Sequence, residues 1–194
     1  TRLQDAGIKK LVLDLRNNGG GYWNAALEIS SSLIPKKSVV FTEKDKNGKV
    51  TKQKTKDEFN QVKMDKIVVL QNENTASASE VLIGALKDNL GDKVTTVGTT
   101  SYGKGTEQVT VPFSDGTSFK YTIAHWYTPN GTSINKKGFK PDIEVELGEA
   151  KTTSYYKFKK KDVIKKDSVD DNAKALQIYL QYLGYSVDRT DTYF

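Results

Sequence analysis

The chain has no cysteine and only one histidine, His125, among its 194 residues. The first absence excludes disulfides and thiolate metal sites, and the second excludes a zinc site built on several imidazoles. No apolar run approaches the roughly 18 residues that cross a bilayer as a helix. The chain opens on TRLQDAGIKK, with neither an initiating Met nor a signal sequence. That opening reads as the end of a helix leading into a strand, so the sequence is taken for a piece of a longer protein. A large charge excess is also missing: the formal net charge is +6, with basic residues dispersed except in YYKFKKKDVIKK, Tyr155 to Lys166. This run reads as a solvated linker, with a cell-wall, membrane-surface or nucleic-acid contact as the alternative. What is present, 36 % hydrophobic and 28 % charged residues, suits a globular domain with a sizeable core and part of another.

KLVLDLRN (Lys10 to Asn17) and KIVVLQ (Lys66 to Gln71) are short, β-branched apolar runs bounded by turn formers, and read as buried strands. Each is followed by a helical pattern, Tyr22 to Ile34 before Pro35 and Ser77 to Leu90 before Gly91, and a third strand follows at Lys93 to Gly98. Beyond Lys104 the texture alternates with period 2 in EQVTVPF, TSFKYTIAHWYTP and DIEVEL around the turns SDG and PNG, which predicts a β-rich second half. FTEKDKNGKVTKQKTKDEF carries an Asn-Gly hairpin signal and reads as an exposed hairpin or loop of small functional weight. SVDDNAKALQIYLQYLGY places Ala173, Leu176, Leu180 and Leu183 at helical spacing after a capping-type start. The domains expected are a core at 1–150, a Lys-rich linker at 151–167 and a helical module at 168–194.

Three constellations carry chemistry. In NTASASEVLIGAL, Ser77 followed by Glu80 is a capping box, so Ser77 is a helix cap, a nucleophile, or both. In RNNGGGYW, three glycines between a strand and a helix make either a tight turn or a set of backbone N–H donors for an anion. GTTSYGKGT nearly spells a phosphate-binding loop, but Gly105 stands where Ser or Thr must follow the lysine, and a strand pattern follows instead of a helix. What remains is an amine, Lys104, between two glycines. A serine at a helix start, a loop lysine and a Gly-rich turn are the parts of a serine–lysine hydrolase. The base is then Lys104 or His125, the histidine being placed by alternation on the strand face opposite Ala124 and Trp126.

LVLDLRNNGGG, TASASEVLIGALKDN, GTTSYGKGTEQ and the strand pair ending in HWYTPNGTSI and KKGFKPDIEVEL occur in this order from about Ile8 to Leu147. Together they resemble the carboxyl-terminal processing peptidases, or tail-specific proteases. The resemblance implies an α/β fold with a core of the crotonase and Clp-protease type, β-loop-α units plus a β-rich second half, and a serine endopeptidase that cuts proteins near their C-termini through an acyl-enzyme. It makes Ser77 the nucleophile, Lys104 the general base and Gln108 the residue that orients the lysine. The oxyanion donors become the N–H groups of Ala78 and Gly21. The interval from Ser77 to Lys104 exceeds the family's by about two positions, which KDNLGDKV at the far end of the helix can absorb.

By the same resemblance no cofactor or metal is implied, the partners are protein or peptide substrates held through their C-terminal region, and no nucleic acid is expected. A PDZ domain precedes the core in the family, and nothing here matches one. ALQIYLQYLGY is similar to the first helix of a peptidoglycan-binding module, which adds a possible peptidoglycan contact, and its Leu and Tyr stripe would favour a homo-oligomer if left uncovered. An extracytoplasmic, membrane-anchored or cell-wall-associated bacterial protein is the setting this implies. The alternative is a catalytically inactive cell-wall-binding protein built on the same core.

Overall fold

The computed structural model describes residues 2–145, 159, 163–167 and 169–193. The chain divides into two units, Thr1–Val145 and Glu146–Phe194. Most of the Lys-rich segment lies outside the described residues.

The first unit begins with a short helix, α1 (Arg2–Asp5), and then builds two sheets. Strands β1 (Lys10–Asp14), β4 (Lys66–Gln71), β5 (Val94–Gly98) and β8 (Ile143–Glu144) form a parallel sheet in the order β1-β4-β5-β8. Strands β2 (Val39–Asp45), β3 (Val50–Lys54), β6 (Thr106–Pro112) and β7 (Ser118–Tyr127) form an antiparallel sheet in the order β3-β2-β7-β6. Helix α2 (Trp23–Leu33) joins β1 to β2, and α3 (Ala78–Leu90) joins β4 to β5 through a 3-10 turn at Gly91–Lys93. This is the mixed α/β architecture anticipated above, with two differences. DIEVEL contributes β8 to the parallel sheet, because Val97 and Gly98 pair with Ile143 and Glu144. Strand β1 is an edge strand, so Val12 is exposed on it while Val69 at the centre of the sheet is buried.

Helix α3 packs against α2, against β2 of one sheet and against β5 of the other. A helix covered on several sides is buried nearly all round; every residue from Ala78 to Leu86 is buried, the polar Ser79 and Glu80 among them. Leu82, Ile83 and Leu86 each contribute about 1.5–3 kcal/mol by burial. Trp126 of β7 is fully buried and meets Trp23 edge-on at 6.1 Å, while Trp23 stacks on Phe41 at 5.1 Å.

The second unit contains α4 (Asp171–Tyr182), capped by the Asp170 carboxylate, which accepts from Asn172 N–H at 2.8 Å. Gln177 is buried and satisfied by the returning chain: its amide donates to the Tyr193 carbonyl, and its oxygen accepts from Asp191 N–H. The buried residues of the helix are Ala173, Ala175, Gln177 and Ile178; of the expected stripe Ala173 is buried, Leu176 and Leu180 are half-buried, and Leu183 is 69 % exposed. No described helix is long and apolar enough to cross a membrane.

Candidate active site

Because β1, β4 and β5 are adjacent and parallel, the segments leaving them emerge side by side at the carboxyl edge of the sheet, where open α/β sheets hold their ligands. These segments are RNNGGGY, NENTAS and TTSYGKG, so the fold gathers all three constellations. Thr75, fully buried, ties them together. Its hydroxyl donates to the Leu15 carbonyl at 2.7 Å and accepts from Asn72 N–H, and its own carbonyl accepts from Tyr102 N–H. Asn72 accepts from Asn17 N–H, and Ala76 N–H donates to the Asn18 carbonyl, so the Gly-rich turn is held through its backbone. At the start of that turn Arg16 grips Asp14 with two bonds of 2.9 and 2.7 Å, which hold the Asp14 carboxyl down at about 2.

Ser77 sits between the loop after β4 and the first residue of α3, with φ 57° and ψ −119°. That conformation is costly for a side chain with a Cβ, and such strain collects at functional sites, including the strand-to-helix turns that present a nucleophile. Glu80 supplies one half of the capping box, accepting from Ser77 N–H at 2.9 Å.

Glu80 does more than cap. Fully buried, it also accepts from the Ser101 hydroxyl at 2.6 Å, Gly103 N–H at 2.7 Å and Lys104 N–H at 2.9 Å. One carboxylate thus fixes the backbone of both Ser77 and Lys104. The lysine loop is further clamped by Trp126, whose indole N–H donates to the Lys104 carbonyl at 2.9 Å and whose backbone N–H donates to the Gly105 carbonyl. The glycines are demanded by contact: a Cβ on Gly103, φ +85°, would lie 2.7 Å from Gly138 N and 2.8 Å from Lys137 N.

The Gly-rich turn closes on the serine at Gly20. A Cβ there would lie 2.6 Å from the Ala76 carbonyl oxygen, 2.7 Å from Ala78 N and 2.9 Å from Ser77 Cβ. The N–H groups of Ala78 and Gly21 donate to no group of the described residues. Both line a small cavity of about 110 Å³ with Leu15, Ala26, Ile29 and Leu82. Free backbone donors at a helix start beside an apolar recess can hold a negatively charged oxygen.

Of the remaining candidates, Gln108 is exposed on β6 and its amide donates to Thr122 Oγ1 at 3.4 Å; it makes no hydrogen bond to Lys104. His125 is exposed and paired with Lys44 and Thr106, on the face opposite the buried Ala124 and Trp126. The described residues contain no group of three or more His, Cys, Asp or Glu fit for a metal.

Comparison with known proteins gives this arrangement its family. The model of peptidase family S41 matches residues 1–145. The chain belongs to that family. Among S41 relatives, the "Probable CtpA-like serine protease" of Staphylococcus aureus strain N315 is 40 % identical over 189 residues, covering 97 % of this chain and 37 % of the relative. The protein of the same description from Staphylococcus epidermidis is 37 % identical, covering 97 % and 38 %. The chain therefore spans little more than a third of the length of the curated relatives it matches. Among solved S41-like structures, the photosystem II D1 C-terminal processing protease superposes with a TM-score of 0.64 at 36 % identity, covering 75 % of this chain and 36 % of that one.

In the sequence of this S41 chain Glu80 reads only as a cap, and Thr75 and Trp126 carry no sign of a role. Glu80 carried a signal, an acid three residues after a candidate nucleophile. Nothing in the local pattern marks a tryptophan far along the chain as a clamp on a lysine loop.

Proposed function

We propose that this chain carries the catalytic centre of a serine endopeptidase that cuts polypeptides near their C-termini through an acyl-enzyme. The observation that carries the reading is Ser77: a strained residue at a helix start, with the free N–H of Ala78 and the Gly20–Gly21 turn pressed against it. Lys104, in its uncharged form, takes the proton of Ser77 Oγ as the oxygen attacks the substrate carbonyl. The oxyanion is held by the N–H groups of Ala78 and Gly21. The protonated lysine then passes its proton to the leaving amine, and a water deprotonated by Lys104 releases the acyl group and restores Ser77. Gln108 steadies the amine by exchanging its long bond to Thr122 for one to Lys104. The complete protein's setting, extracytoplasmic and in contact with peptidoglycan through the second unit, belongs to the same proposal.

The test is cleavage of an unfolded protein by the full-length enzyme and its Ser77→Ala variant, with products mapped by mass spectrometry. Loss of cleavage by a factor on the order of 10⁴ or more is expected, with wild-type cuts clustered near the substrate's C-terminus. Equal cleavage by the two proteins overturns the reading, and cuts scattered evenly along the substrate remove the C-terminal part of it.

A further inference from the structure

Away from Ser77, the antiparallel sheet carries a cleft that the mechanism above does not use. Its larger part, about 610 Å³, lies between the β2–β3 hairpin and β7 and is lined by Glu43, Lys49, Glu107, Tyr121, Ile123 and Ala124 among others. A second part, about 320 Å³, shares Glu43 and Glu107 and runs to Trp23, Phe41, Leu27 and Tyr22. Tyr22 also lines the recess beside Gly21 and Ala78.

Strand register brings the two glutamates together. Glu43 on β2 pairs with Trp126, and Glu107 on β6 pairs with Ala124. Residues directly opposite in an antiparallel ladder share a face, and Trp126 and Ala124 are two apart on β7, so both carboxyls flank the same strand on its buried side. Ala124, opposite both Glu107 and Asp45, offers only a methyl group on that face, which leaves space beside Glu107.

Neither carboxylate has a cationic partner among the described residues. Glu43 accepts a single 3.3 Å bond from the Gln53 amide, and Glu107 accepts none. Lys46 and Lys49 line the cavity from the hairpin turn, and Asp45 is occupied there by the N–H groups of Asn47 and Lys49. Burial pushes both glutamates above their ordinary range, and the charge of Glu43 pushes Glu107 further. Two half-buried like charges without an ion-pair partner are an unfavourable arrangement that a cation placed between them relieves.

We propose that this cleft takes a lysine or arginine side chain of the polypeptide being cut, its alkyl stem along Tyr121 and Ile123 and its charge between Glu43 and Glu107. The apolar surface of Tyr121, Ile123 and Ala124 suits the methylene stem of a basic residue, and the paired carboxylates suit its head. The cleft is thereby a specificity subsite on one flank of the scissile bond. This rests on the reading of Ser77 as the nucleophile.

The experiment uses the full-length protein and a set of peptides identical except for one lysine, moved through successive positions on both sides of the cut, with glutamine at that position as the control. For the wild type, kcat/KM at one position is expected to be roughly tenfold higher with lysine than with glutamine. The Glu43→Gln/Glu107→Gln variant is expected to treat the two alike, and Glu107→Lys to prefer glutamate there. Binding of the same peptides to Ser77→Ala protein, followed by fluorescence anisotropy, reads the subsite independently of cleavage. If Ser77→Ala still cuts, the nucleophile assignment fails while the binding arm continues to report on the cleft. If no position favours lysine, or the double glutamine variant keeps the preference, the subsite is overturned.

Discussion

Ser77 and Lys104 donate their backbone N–H groups to the same oxygen, Oε2 of Glu80, at 2.9 Å each. The spacing of the proposed nucleophile and base is thus set by main-chain groups bonded to one buried acid. Glu80→Gln keeps the volume but turns an amide NH2 toward donors, leaving at least one buried N–H unmet. A loss of roughly 2–4 kcal/mol is expected in chemical denaturation of the full-length protein. A fall in kcat is expected at temperatures where the variant remains folded. Unchanged kcat in a folded Glu80→Gln protein would remove the positioning role.

The choice of base is tested by three variants. Lys104→Ala and Lys104→Arg are both expected to be inactive, because guanidinium stays protonated and cannot take the serine's proton. His125→Ala is expected to cleave at nearly the wild-type rate, since His125 lies exposed between Lys44 and Thr106. An inactive but folded His125→Ala protein would transfer the role to the histidine. Gln108→Ala is expected to lower kcat severalfold with little change in stability, its bond to Thr122 being long and exposed.

Adjacent glycines in the turn should behave oppositely. Gly20→Ala drives a methyl group to 2.6 Å from the Ala76 carbonyl and 2.7 Å from Ala78 N, displacing a donor proposed for the oxyanion. A fall in kcat on the order of 10²-fold is expected, the cost of losing one such donor. At Gly19 nothing lies within 4 Å of the added Cβ, so Gly19→Ala should be close to neutral. Peptide kinetics on the two variants decide the point, and equal effects would show that the turn tolerates or rejects alanine for another reason.

The glutamate pair predicts a pH-dependent stability. Burial, then the charge of Glu43, raises the Glu107 carboxyl in the folded protein above its ordinary 4.5. The native state therefore holds this proton more tightly than the unfolded chain, and stability declines as pH rises from 4.5 through the raised native value. Below that window both states are protonated and the penalty vanishes. Glu107→Gln is expected to unfold at a higher temperature than wild type at pH 7 and at nearly the same temperature at pH 4. A difference that grows toward acid would contradict the assignment.

Much of this arrangement was legible in the residues. The strand at Lys66–Gln71 and the helices after β1 and β4 follow from short β-branched runs, helical spacing and the breaks at Pro35 and Gly91. The three motif loops assemble because parallel strands must release their chains at one edge. What was illegible depends on groups that sequence does not display. Glu80 reads as a cap because the other N–H groups that donate to it, those of Gly103 and Lys104, are distant in the chain. Val12 reads as buried because an edge strand and a central strand share the same apolar pattern. The hairpin around Asn47–Gly48 reads as a mere exposed turn, since the facing of Glu43 and Glu107 arises only from cross-strand register.

Helix α3 begins at the proposed nucleophile and runs 13 residues to Leu90, about 20 Å at 1.5 Å per residue. The turn at Gly91–Lys93 is therefore remote from the chemistry yet joined to it by a helix buried from Ala78 to Leu86. Added or deleted residues there change the length of the chain between serine and lysine without changing where either stands. The same remoteness makes Asp92 and Lys93, both exposed, suitable for a fluorophore or a surface tether that reports on the enzyme without touching its substrate path.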